Sequence, residues 1–113
     1  MNELIRELHD IEMIKQLKHR YFRAIDMADH GLLDSVFTDD IKVDYRGGTY
    51  VWEASGKKEI IQSLKYSFHS ETAAMHTGHH PEISIHDDVN ASGIWYLQDL
   101  SLIHISEPTR PFH

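Results

Sequence analysis

The sequence predicts one α+β domain, and three observations carry that reading. Apolar residues recur at helical spacing through the first third of the chain, and a second such stretch lies near residues 56–68. The remainder alternates apolar and polar residues between clusters of turn formers, as antiparallel strands do. At 113 residues the chain is expected to hold one domain with a modest core. A formal charge of −7 speaks against nucleic acid and anionic membranes as partners. The absence of cysteine excludes disulfides and thiolate metal sites. No apolar run reaches bilayer length, and MNELIREL lacks the apolar stretch of a secretory signal, so a cytoplasmic protein is expected.

Asp10 is a candidate N-cap for a first helix running to about Ala28. Ile11, Ile14, Leu17, Tyr21, Ile25 and Ala28 fall on one face of it, and Lys15, Lys18, His19 and Arg20 largely on the other. Leu4, Ile5 and Leu8 either extend this helix or form a separate turn. Asp26 sits near the helix end, where the dipole disfavours a carboxylate, so a partner cation or donor is expected for it. After a tight connection, Gly31 to Phe37 fits a short second helix. Ile41, Val43 and Tyr45 alternate with Lys42 and Asp44 as a half-buried strand. Gly47 and Gly48 mark a turn, too short for a phosphate loop, and Thr49 to Trp52 pairs back. Ser55 is the expected cap of a third helix from about Gly56 to Phe68, with Ile60, Ile61, Leu64 and Phe68 on its buried face. Met75 to His80 reads as strand or loop, with Pro81 interrupting it or marking an edge. Asp87 to Asn90 make a turn, and Ala91 to Asp99 returns antiparallel.

The stretch from Ala74 to Ile85, AMHTGHHPEISI, concentrates histidines and is the expected seat of the chemistry. His76, His79, His80 and His86 raise the possibility of a metal, but in a strand His76 and His80 share a face while His79 points away, and no HExxH pattern exists. The expectation is therefore no metal. From Leu100 the chain reads LSLIHISEPTR, which resembles a translated sequencing adapter. The expected domain is thus 1–99, truncated, with 100–113 a non-native tail. A hairpin ending there would leave an open edge.

Three blocks in order, DIEMIKQLKHRYFRAID, MHTGHHPEISI and ASGIWYLQD, resemble the SnoaL-like branch of the nuclear-transport-factor-like superfamily. Within it the chain looks most like the bile-acid 7α-dehydratases. Asp44, Tyr45, Arg46, Trp52, Glu53 and Ala54 also resemble the scytalone dehydratases. The resemblance implies a cone in which a curved, mostly antiparallel sheet wraps the helices around a deep apolar pocket, with its C-terminal strands missing here. It implies catalytic roles for Tyr21, Asp26, His76 and Asp99. A late arginine used by the first family has no counterpart in this chain, and Ile25 stands where the second carries a tyrosine.

On this basis the expected activity is a dehydratase, a lyase without metal or organic cofactor, acting on a hydrophobic hydroxylated carbonyl compound of steroid or polyketide type. Asp26 would fix the tautomer of His76, leaving a base near neutral pH, while Tyr21 bonds the carbonyl and Asp99 assists loss of the hydroxyl. Tyr45, Trp52 and Trp95 are the candidate substrate-binding residues, with Phe68 and Tyr96 as further possible pocket walls. A non-catalytic binding domain, or an isomerase or cyclase, remains open from the residues alone. A homodimer or homotrimer is expected of a complete fold.

Overall fold

A computed structural model describes residues 2–69 and 73–102. Three helices and four strands run in the order α1 (Glu3–Asp26), α2 (His30–Val36), β1 (Lys42–Gly47), β2 (Tyr50–Ser55), α3 (Lys57–Ser67), β3 (Ala73–Ile85) and β4 (Ala91–Leu102). The α+β class follows directly. Among the described residues the strands form two antiparallel hairpins, β1–β2 and β3–β4.

The first helix starts earlier than its periodicity suggests. Asn2, not Asp10, is the N-cap, and its side-chain oxygen accepts from the backbone N–H groups of Leu4 and Ile5. Leu4, Ile5 and Leu8 therefore ride on an extended first turn and stay exposed. The helix closes where Ala28 adopts a left-handed conformation (φ 52°) and the Asp29 N–H reaches back to the Ala24 carbonyl. Asp29 then caps α2 through Leu32, which keeps the connection short.

The core lies between the three helices and β2. Ala24, Ile25, Leu33, Ala54, Ile60, Ile61 and Leu64 form it. Phe22 and Ala24, absent from the predicted stripe, are buried, whereas Leu17 stays 40% exposed. The N-cap of α3 is Gly56, without a side-chain cap bond, so Ser55 does not take that role; it ends β2 opposite Lys42. Lys57 secures the helix start instead, pairing with Asp34 and Asp39.

On β1–β2, Tyr45 lies opposite Trp52 and Asp44 opposite Glu53. Arg46 bridges those two facing carboxylates, removing a repulsive cross-strand pair.

In β3–β4, the ladder shifts between His79 and Glu82, so His80 and Pro81 together face Trp95. This bulge, with His80 at φ 54°, absorbs the proline that has no N–H to offer, and β3 continues on both sides of it. The expected boundary after Asp99 falls inside β4: Leu100, Ser101 and Leu102 lie opposite Met75, Ala74 and Ala73. Residues 103–113 of the expected tail lie outside the described residues. No helix among the described residues is long and apolar enough to cross a membrane.

Candidate active site

The site forms where the C-terminal half of α1 meets the inner face of β3–β4. Close approach is possible because Gly78 carries no side chain. A Cβ there would lie 2.7 Å from the Phe22 ring and 3.5 Å from Trp95. His76, two residues before Gly78, shares its face, and Asp99 is the direct cross-strand partner of His76.

His76 sits between two carboxylates. Its Nδ1 lies 2.6 Å from Asp26 Oδ1, and its Nε2 lies 3.3 Å from Asp99 Oδ2. The backbone N–H of His76 also donates to both Asp26 oxygens, at 3.2 and 3.1 Å. These donors offset the unfavourable placement of Asp26 at the helix end. The Phe22 ring stacks parallel to the imidazole and Phe68 meets it edge-on, leaving the His76 side chain 7% exposed. Phe68 thus walls the histidine rather than the apolar cavity.

The second half of the site is a cavity of about 310 Å³ bounded by α1, β1, β2, α3 and Trp95. That volume lies at the small end of the range for small-molecule sites. Tyr21, Tyr45, Trp52 and Trp95 line it. Tyr96 does not: it is exposed and packs on His80 at the bulge. The Tyr21 and Tyr45 hydroxyls are 2.8 Å apart. Either hydroxyl can donate in this bond. Trp52 holds Tyr45 edge-on at 4.9 Å between ring centres. Burial, reinforced by Tyr45 and by the charge of Asp99, pushes the Tyr21 hydroxyl well above the usual tyrosine range. Tyr21 therefore stays neutral.

Not all the expected residues share one surface. Asp26 and His76 line a shallower groove with His19, Phe22, Arg23, Met27, Thr77 and Gly78, whereas the tyrosine pair lines the apolar cavity. Asp99 joins the two, touching His76 while acting electrostatically on Tyr21. The other histidines lie apart: His79 bonds Thr77, and His86 bonds Ser92. Among the described residues no group of three or more His, Asp or Glu side chains is arranged to hold a metal ion.

Lys18 departs from its expected place on the polar side of α1. It lines the cavity, with Nζ 5.1 Å from the ring centre of Tyr21, 5.2 Å from Phe22 and 5.3 Å from Trp95. The available signal was its spacing: three residues before Tyr21 puts it on the same helix face.

An apolar cavity beside a buried His–carboxylate cluster is thus carried on an α+β domain. The chain belongs to the SnoaL-like domain family, which it matches over residues 6–108. That family includes polyketide cyclases, dehydratases and isomerases, and its domains bind small hydrophobic ligands. Among solved structures, the chain is similar to a protein from Catenulispora acidiphila at 17% identity (TM-score 0.69), covering 85% of this chain and 68% of that one. It is also similar to ActVI-ORFA from Streptomyces coelicolor at 18% identity (TM-score 0.62), covering 88% of this chain and 72% of the other. At these identities the likeness is one of fold.

Proposed function

We propose that this domain is a dehydratase that removes water from a hydrophobic β-hydroxy carbonyl compound, with His76, Asp99, Asp26 and Tyr21 as its machinery. The observation that carries the reading is His76, clamped at both ring nitrogens by carboxylates and connected through Asp99 to a neutral tyrosine on a cavity wall.

Two acceptor carboxylates flanking one imidazole require a donor at each contact. Asp26 takes the Nδ1–H. One further proton is shared between Nε2 and Asp99. In the reactive arrangement Asp99 holds that proton and Nε2 is the base. Nε2 removes the proton from the carbon next to the substrate carbonyl, while Tyr21 donates to the carbonyl oxygen as negative charge gathers on it. The carbon–oxygen bond then breaks, and the departing hydroxyl takes the proton of Asp99 and leaves as water. The imidazolium returns its proton to Asp99 across their 3.3 Å contact, which restores the starting state. Every proton is carried by a side chain, so the scheme uses no metal or organic cofactor.

The proposed substrate is of steroid or polyketide type, in line with the resemblance to bile-acid 7α-dehydratases. The proposed setting is a cytoplasmic homodimer or homotrimer. The test is a panel of cyclic β-hydroxy ketones, followed by enone absorbance and by mass. General acid–base catalysis contributes roughly 10²–10⁴-fold, so His76→Ala should lose about that much turnover. Undiminished turnover in that variant would remove His76 as the base. A product of unchanged mass would identify an isomerase or cyclase. Saturable binding without product, equal in both proteins, would identify a binding domain.

A further inference from the structure

Among the described residues that line the cavity, Lys18 alone is charged. Aromatic faces of Tyr21, Phe22 and Trp95 surround its ammonium group at 5.1–5.3 Å. Among the ion pairs of the described residues, none involves Lys18. Lys57, by contrast, pairs with two carboxylates. Ring quadrupoles stabilise a cation but do not neutralise it. Burial accordingly lowers the Lys18 pKa, the mark of an ammonium that has lost water without gaining a counter-charge. Because Lys18 and Tyr21 are three residues apart on one helix face, the ammonium and the phenol border the same wall of the cavity.

We infer that Lys18 is the specificity-determining residue of this cavity, selecting apolar ring compounds that carry an anionic oxygen, such as a carboxylate, at the end that meets α1. A ligand of this class places its rings among Val43, Trp52 and Leu64 and its oxygen against Lys18, supplying the missing counter-charge. The inference deepens the proposed function by naming a feature of the substrate, and it rests on the cavity being the ligand site. It does not require that dehydration occur.

Equilibrium binding therefore tests it separately from turnover. The probes are 2-naphthoate and its neutral counterpart 2-naphthalenemethanol, titrated calorimetrically into the full chain. The wild type should prefer the carboxylate by about tenfold or more, the equivalent of about 1.4 kcal/mol. Lys18→Met should abolish the preference while binding the neutral probe as well as before, which also shows that the variant is folded. Lys18→Arg should keep the preference. The inference is overturned if the wild type does not discriminate, if Lys18→Met still prefers the carboxylate, or if neither probe binds at millimolar concentration. Loss of the preference in Lys18→Met without any dehydration of a β-hydroxy ketone panel that includes carboxylate-bearing members would uphold this inference and defeat the dehydratase proposal alone.

Discussion

Replacing Asp26 with asparagine isolates the contact on which the candidate site depends. The carboxylate ends α1 and accepts the His76 ring at 2.6 Å and the His76 backbone N–H at 3.1–3.2 Å, so it ties that helix to β3 across fifty residues of sequence. Asparagine keeps the shape but has only one acceptor oxygen, and its NH₂ faces a donor. Hydrogen bonds to charged groups contribute about 1.5–3 kcal/mol, and with Asp26 partly exposed the loss should be about 2 kcal/mol. Removing a negative charge from a helix C-terminus returns about 0.5 kcal/mol. The expected net destabilisation is about 1.5 kcal/mol, read as a lower urea midpoint at unchanged slope. Turnover should fall further than stability, by about 10²-fold or more, because the imidazole loses the partner that orients its proton. A double-mutant cycle with His76→Ala should show a coupling of about 1 kcal/mol. A urea midpoint within error of wild type, or additive effects of the two substitutions, would refute the reasoning that this pair joins helix to strand.

Other expectations follow from the same geometry. Asp99→Asn should suppress turnover about 10²-fold while changing stability by less than about 0.5 kcal/mol, since its half-exposed carboxylate leaves little desolvated surface behind. The raised Tyr21 pKa means that its stabilising contribution is full below the unfolded tyrosine value of about 10 and is lost as pH rises above it. Tyr21→Phe should therefore flatten the alkaline limb of the stability–pH curve, and tyrosinate absorbance of the native wild type should show one residue that does not ionise before unfolding. Gly78→Ala should cost about 1–3 kcal/mol, because its methyl would press on the Phe22 ring that packs against His76, and circular dichroism melts would report it. Leu33→Ala, at a fully buried core position, should cost about 2–5 kcal/mol by the same measurement and leave ligand preference intact.

Local pattern alone located α3, the two hairpins and the Asp87–Asn90 turn, because periods of 3.6 and 2 are written into each segment and need no partner to be read. It also marked Asp26 as a carboxylate in want of a donor. Pattern failed at element ends: Asn2 rather than Asp10 begins α1 and Gly56 rather than Ser55 precedes α3, since several polar residues near a boundary can cap and only the backbone path selects one. The resemblance of three sequence blocks nominated Tyr21, Asp26, His76 and Asp99. Their assembly depends on long-range register. His76 faces Asp99 only because the turn and the bulge at His80–Pro81 set the pairing, and a slip of one residue would put them on opposite faces of the sheet. Whether a lysine points to water or into a cavity is likewise invisible along the chain. Lys18 became part of the cavity once β4 laid Trp95 beside it, and only the tertiary packing of strand on helix could decide that.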